Sequence, residues 1–178
     1  MGRKLFLLFG CLGFAGRGLA DLPEGSFANT NPGSGAAVFK FQDQVRSVLV
    51  LHRFHVEIPC GGDVEGPTDS ARWFNRLDRF YGKKTAGVHV VDVGDMDMPY
   101  RYKWWVEQTN PRHPVVADPE QRINGLLGPA HDISEVVVIN CREQVRYRKT
   151  GLLKKSDLAE IREIVDAETA DLACSLKK

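Results

Sequence analysis

Runs of apolar residues alternate with amphipathic segments through the middle of the chain. The segment "VRSVLVLHRF" (45–54) has a near-continuous apolar centre, which is typical of a strand buried on both faces. "AGVHVVDV" (86–93) predicts a second strand of the same kind. Between them, "TDSARWFNRLDRFYG" (68–82) carries large apolar residues at helical spacing, so it predicts a helix that ends at Gly82.

The second half of the chain changes from crossovers to a hairpin. "HPVVAD" (113–118) predicts a short extended segment closed by a turn at Asp118, and "EQRINGLLG" (120–128) predicts one or two helical turns. "SEVVVIN" (134–140) and "QVRYRKTG" (144–151) predict two strands joined by a short turn. The last segment predicts an amphipathic helix, with Leu158, Ile161, Ile164 and Val165 on one side.

This order of elements defines a fold class. Strands separated by helices imply right-handed parallel crossovers, and the late hairpin adds antiparallel strands. We therefore expect an α/β fold, a three-layer sandwich with a mixed central β-sheet and helices on both faces.

The N-terminus has the pattern of an export signal. Arg3 and Lys4 precede the apolar run "LFLLFGCLGFAG", and "GLA" (18–20) offers small residues for cleavage. The run is short for a membrane span, which needs about 20 apolar residues. Residues 1–20 are therefore interpreted as a signal peptide, with an uncleaved anchor or acylation at Cys11 as alternatives.

The remaining chain predicts one domain with a core of ordinary size. Residues 21–44 are rich in Gly, Pro, Asn and Ser, so we expect an irregular extension with one short edge strand, "AVFKF" (37–41). The domain proper is expected over 45–170, with a tail at 171–178. The hydrophobic fraction is 43% and the formal net charge is +1, which gives no indication of nucleic-acid binding.

The order of elements, together with "VLVLHRF", a following cysteine and proline before a helix, and the late hairpin, resembles the thioredoxin-like superfamily. Within it, the segment from "SEVVVIN" to "SDLAEI" is similar to periplasmic proteins of the YtfJ type, which keep the fold and lack the paired cysteines. "HPVVADPEQRI" resembles the extra strand and turn of redoxin-type members, such as TlpA-like proteins and peroxiredoxins.

The resemblance implies a degenerate active site. It places the attacking cysteine at Cys60 and the resolving cysteine at Asp63, in "CGGD", and a carboxylate cannot resolve a mixed disulfide. Asp63 also disfavours a nearby thiolate electrostatically. Alignment from "VVVIN" puts Ser134 where the family has a cis-proline facing the site. Cys60, Asp63 and Ser134 are therefore the candidate site residues, without dithiol exchange.

Two other chemistries stay open at Cys60. As a single peroxidatic thiol it would use Arg53 as a cation, although the hydroxyl residue that peroxiredoxins carry before the cysteine is absent. As a metal ligand it would need His52 and His55, which stand three apart at a strand end and tend to face opposite sides. The ordinary interpretations are that Cys60 is a cysteine in a loop, that His52 is a strand residue and that His55 is a loop residue.

Cysteine number limits the pairing. After signal removal the chain keeps Cys60, Cys141 and Cys174, so at most one internal disulfide forms. The leading hypothesis is an exported, periplasmic or secreted, non-catalytic binding or accessory protein without a cofactor. Its expected partner is another protein, with membrane contact only through the export signal. The alternatives are a monothiol redox enzyme and a metal-binding accessory protein.

Overall fold

The computed structural model describes residues 22–34, 37–44, 48–55, 72, 74–76, 85–92, 106–107, 109–118, 122–128 and 134–170. Within these residues the chain forms seven strands and two α-helices with defined ends. The strands are β1 (Phe27–Ala28), β2 (Val38–Phe39), β3 (Val48–His55), β4 (Thr85–Asp92), β5 (Val115–Ala117), β6 (Glu135–Ile139) and β7 (Val145–Thr150). The helices are α1 (Arg122–Leu127) and α2 (Lys155–Ala170).

Five strands form one mixed sheet in the order β5-β4-β3-β6-β7. β3 pairs with β4 in parallel and with β6 antiparallel, so it is the central strand. β5 extends the sheet in parallel beyond β4, and β6 and β7 form the late hairpin. The mixed α/β sheet that the sequence predicted is thus confirmed. Neither helix with defined ends is long and apolar enough to cross a membrane.

Each face of the sheet carries its own buried cluster, because side chains alternate between the faces along each strand. On one face, Leu49 and Leu51 of β3 pack with the side chains of α1. On the other, Val48 and Val50 pack with Phe74 and with α2. The α2 residues in that cluster are Leu158, Ile161 and Val165, with Ile164 partly buried beside them, as the helical periodicity predicted.

The N-terminal extension is more ordered than its composition predicted. β1 pairs with β2, and Phe27, Phe39 and Phe41 are buried in the α1-side cluster. Phe41 contacts the other two rings edge-on, at centroid distances of 5.4 and 5.0 Å. Edge-to-face pairs of this kind add to the free energy gained from burial. Apolar contact with the core, rather than local propensity, therefore fixes this segment.

Two asparagines tie the extension to the strand at the sheet margin. Asn31 Nδ2 donates to the carbonyls of Pro111 and His113, at 2.6 and 2.9 Å. Asn29 Oδ1 accepts from the amide of Val115, at 3.1 Å. These bonds satisfy buried polar groups that would otherwise be costly. The extension therefore closes the β5 side of the sheet.

Candidate functional site

The sheet has an upper end, where β3 finishes and β6 begins. Glu135 of β6 is in register with Arg53 of β3, so Ser134 lies beside the point where β3 leaves the sheet. Thr150 of β7 pairs with Glu135, which brings Gly151 to the same end. Cys60 and Asp63 follow β3 in the sequence but lie outside the described residues. Of the three candidate site residues, only Ser134 belongs to the part of the chain that the structure describes.

Ser134 is fully buried, and its polar groups are bonded within the protein. Its hydroxyl donates to the carbonyl of Gly151 at 3.0 Å, and its carbonyl accepts from the Gly151 amide at 2.7 Å. Gly151 has a φ of +99°, which a residue with a Cβ rarely adopts. Ser134 thus fastens the start of β6 to the turn after β7, which is a structural role.

Arg53 and Glu135 form a buried ion pair at the upper end, on the α1 side of the sheet. Arg53 Nε lies 3.1 Å from Glu135 Oε2, and both side chains are 0% exposed. Arg53 Nη2 donates to the carbonyl of Gly128, just after α1, at 2.8 Å. Arg148 of β7 donates to the other oxygen of Glu135. Charge pairing and hydrogen bonds together offset part of the free energy lost when these groups leave water.

A cluster of three buried imidazoles, the histidine cluster, lies on the α2 side. His52 and His89 are in register on β3 and β4, and their Nδ1 atoms are 3.0 Å apart. His113, which precedes β5, lies 5.8 Å from His89 between ring centroids. Phe74 contacts all three rings, at 4.6 to 5.3 Å. The histidine cluster is therefore part of the packing beneath Phe74.

The close approach of His113 depends on a glycine. A Cβ at Gly87 would lie 2.6 Å from His113 Nδ1, so a side chain there would displace the ring. Gly87 is two residues before His89 on the same face of β4. The sequence therefore leaves room for the third imidazole at this position.

His52 and His89 are neutral at physiological pH. Burial, with an added contribution from His113, lowers the pKa of His52 to about 3. Burial, with contributions from His52 and His113, lowers the pKa of His89 well below its usual value. In the contact between the Nδ1 atoms, one neutral ring donates the proton and the other accepts it. If both rings were protonated and charged, two like charges would face each other across a distance of 3.0 Å between the Nδ1 atoms.

The metal hypothesis receives no support from the part of the chain that the structure describes. No three His, Cys, Asp or Glu side chains there are arranged so that they could hold a metal ion. His52, one of its three proposed ligands, uses Nδ1 for the contact with His89. The side chain of His55 and all of Cys60 lie outside the described residues, so their role as ligands stays a prediction.

Asp118, which the sequence assigned to a turn, is a helix cap. It is 1% exposed, and its two carboxylate oxygens accept from the amides of Arg122, Ile123 and Asn124 at 2.8 to 2.9 Å. A carboxylate at a helix N-terminus satisfies amides that have no partner within the helix. Asp118 therefore fixes α1 against the end of β5.

Sequence reasoning missed Glu135, His89 and His113 as partners of the polar residues in β3. A weak signal existed, because His52 and His89 each interrupt an apolar strand and Glu135 begins one. Placing two polar residues in strands buried on both faces predicts that they contact each other. The identity of the partners, however, depends on strand register.

Solved structures with similar folds have low sequence identity to this chain. A Chlorobium tepidum protein assigned as the thiol:disulfide interchange protein DsbE has a TM-score of 0.65 at 17% identity, over 87% of this chain and 97% of its own. A secreted disulfide oxidoreductase of Mycobacterium tuberculosis has a TM-score of 0.57 at 12% identity, over 80% and 95%. The bacterioferritin comigratory protein of Xanthomonas campestris, studied for alkyl peroxide reduction, has a TM-score of 0.60 at 12% identity, over 86% and 99%.

The chain has a thioredoxin-like fold, as the sequence predicted. Its structural neighbours are thiol–disulfide and peroxide-reducing proteins, and at these identities the likeness establishes the fold alone. No protein-family model matches the chain, and no curated protein matches it.

Removing one partner of the buried ion pair should be costly. Glu135→Leu leaves the Arg53 charge buried, and we expect a loss of about 3–5 kcal/mol in the free energy of unfolding by urea denaturation. The double variant Arg53→Met/Glu135→Leu should recover most of this loss. Arg162→Ala, which removes an exposed pair with Asp166, should change stability by less than about 1 kcal/mol. A small effect of Glu135→Leu alone would contradict the buried pair.

The histidine cluster should make the protein acid-sensitive. The unfolded chain takes up protons on His52 and His89 near pH 6.5, while the folded chain does not until a much lower pH, about 3 for His52. Stability therefore falls as the pH decreases below about 6.5, by about 1.4 kcal/mol per pH unit for each histidine. Urea denaturation between pH 7.5 and 4.5 measures this slope.

His52→Leu/His89→Leu is the matched control for that slope. It replaces both partners with apolar groups, so it should retain much of the stability at pH 7.5. It should also flatten the dependence on pH by about 2–3 kcal/mol per unit between pH 6 and 4.5, the sum of two histidines. An unchanged slope would mean that carboxylates, and not the histidine cluster, set the acid sensitivity.

Proposed function

We propose that this chain is an exported thioredoxin-fold protein that binds other proteins and does not carry out dithiol exchange. The observation that carries the proposal is the position of Arg53. This residue is the cation that the sequence offered for stabilising a Cys60 thiolate. It is 0% exposed and bonded to Glu135 and to the Gly128 carbonyl on the α1 side. Its charge is already paired with a buried carboxylate, that of Glu135.

The sequence of the loop after β3 supports the same conclusion. A reactive thiolate needs nearby positive charge or a helix N-terminus to lower its pKa, and a dithiol enzyme needs a second cysteine to resolve the mixed disulfide. Asp63 stands at the resolving position and adds negative charge instead. Because Arg53 is paired with Glu135, a lowered pKa of the Cys60 thiol would have to come from groups in the segment that carries Cys60.

Export is supported by three independent observations. Residues 1–20 have the composition of a signal peptide. Cys141 is disulfide-bonded, and disulfides persist chiefly in oxidising compartments outside the cytosol. One structural neighbour is a secreted protein. The proposed location is periplasmic or secreted, and the resemblance to periplasmic YtfJ-type proteins belongs to the same proposal.

The proposed binding surface is the upper end of the sheet. Leu152 follows Gly151 directly and is 44% exposed, next to the turn that Ser134 holds in place. A rigid backbone beside an exposed apolar side chain suits contact with a polypeptide, because ordering the surface then costs little. The chemistry of such a partner is an extended, partly apolar segment of another protein.

A monothiol redox enzyme is the second candidate, favoured by the redox activities of the structural neighbours. In that case the Cys60 thiolate would attack a peroxide and become a sulfenic acid, while the peroxide is reduced to an alcohol or to water. An external thiol would then reduce the sulfenic acid. A metal-binding accessory role for His52, His55 and Cys60 is the third candidate.

The reactivity of Cys60 separates the first two candidates. We expect the mature chain to react with iodoacetamide at pH 7 at about the rate of an unactivated thiol whose pKa is near 8.5. Stopped-flow and mass measurements on the wild type and on Cys60→Ser assign the signal to Cys60. Rapid alkylation, together with peroxide consumption that Cys60→Ser abolishes, would overturn the proposal in favour of the monothiol enzyme.

The binding surface can be tested with two matched leucines. Leu152 and Leu126 are 44% and 41% exposed, and Leu126 belongs to α1 and not to the segment that follows β7. We expect a protein captured from the exporting compartment by the wild type to bind Leu126→Glu equally, and Leu152→Glu at least about tenfold more weakly. The burial of one leucine side chain at an interface is large enough to account for a tenfold change in affinity. Equal loss in both variants would contradict a specific upper-end surface.

A further inference from the structure

Cys141 forms a disulfide, and its partner is one of three other cysteines. Cys141 is the first residue of the turn between β6 and β7, and it is 4% exposed. The remaining cysteines are Cys11, Cys60 and Cys174, all outside the described residues. The position of Cys141 in the sheet decides among them.

The distance along the sheet excludes Cys60. Ile139, at the end of β6, pairs with Leu49 at the lower end of β3, and Cys141 lies two residues further on. The distance along the sheet from Cys141 to His55, where β3 ends, corresponds to eight strand residues and is about 26 Å at about 3.3 Å per residue. Cys60 is five residues beyond His55, a reach of at most about 18 Å, and a disulfide requires Cα atoms within about 7 Å. A fully extended return path along the sheet would leave the two Cα atoms about 8 Å apart, beyond that limit, and a less extended path would leave them further apart.

The end of α2 lies next to Cys141. Asn140, the residue before Cys141, donates from Nδ2 to Glu168 Oε2 at 2.9 Å. Arg146, at the start of β7, donates to the other oxygen of Glu168. Glu168 is two residues before the last residue of α2, Ala170. Contacts among described residues thus hold the last turn of the helix against the β6–β7 turn.

Cys174 is within easy reach of that position. It follows Ala170 by four residues, and four residues span up to about 14 Å. Cys11 lies in the segment interpreted as a signal peptide, which the mature protein lacks. Among the other cysteines, only Cys174 is both present in the mature chain and close enough in sequence to the end of α2 to reach Cys141.

We infer that Cys141 and Cys174 form a structural disulfide that fastens the end of α2 to the lower end of the sheet. Its formation removes two protons and two electrons from the two thiols. They pass to a disulfide-bonded oxidant of the exporting compartment, which is reduced to two thiols. Cys60 then remains the only thiol of the mature chain, so any disulfide it forms joins it to another molecule.

Alkylation and peptide mapping test the pairing. The mature chain is exported, purified without reductant, unfolded in guanidinium and treated with iodoacetamide. We expect one alkyl group per chain without reductant and three with it, and a non-reduced digest that contains a peptide joining Cys141 to Cys174. A peptide joining Cys141 to Cys60, or three alkyl groups without reductant, would overturn the inference.

Two serine variants provide the matched controls. Cys174→Ser should expose the Cys141 thiol, give two alkyl groups, and lower the Tm by about 10 °C, since the loop closed by the disulfide is long. Cys60→Ser should give no alkyl group without reductant and leave both the linked peptide and the Tm unchanged. This outcome does not depend on Cys60 reactivity or partner binding, so the disulfide and the proposed function can fail separately.

Discussion

The burial of both faces of β3 is the constraint on which the rest of the structure depends. The central strand is covered by α1 and the N-terminal extension on one side and by Phe74 and α2 on the other. Its polar residues, His52 and Arg53, therefore cannot reach water and must find partners within the protein. Because they are consecutive, they point to opposite faces, and each face needs its own solution.

On both faces, the register of the sheet determines which side chain is the partner. On the α1 face, the antiparallel neighbour β6 places Glu135 opposite Arg53, and the two side chains form an ion pair. On the α2 face, the parallel neighbour places His89 beside His52, and two neutral rings share one proton. The contact between His52 and His89 is sensitive to acid, because burial lowers the pKa of both rings. The face of the sheet that carries Phe74 is therefore expected to lose stability as the pH decreases.

The sequence predicted the framework of the fold well. β3, β4, β6 and β7 could be found because their apolar runs or alternation reflect burial directly, and the resemblance supplied the correct fold. The N-terminal extension was less predictable, because Phe27 is held by contacts formed in the assembled core, among them those with Phe41 and Arg122. Composition describes local preference, and this segment is fixed by contacts distant in sequence.

The candidate site was predictable only in part, for a related reason. Ser134 could be placed by counting along β6, since position in a strand is local information. The engagement of Arg53 by Glu135 could not, since it depends on the register of two strands that are far apart in the chain.

The structural disulfide and the candidate reactive thiol involve different cysteines, Cys141 and Cys60. The Cys141 disulfide lies at the lower end of the sheet, while β3, which Cys60 follows in the sequence, ends at the upper end, about 26 Å away along the strand. A cross-link at the lower end stabilises the fold without restricting the surface around Ser134 and Leu152. In a dithiol enzyme of this fold the disulfide is the reactive group itself, so it must be easily broken. Here the disulfide can be stable, because the upper end does not depend on breaking it. That arrangement is compatible with the proposed role in binding other proteins.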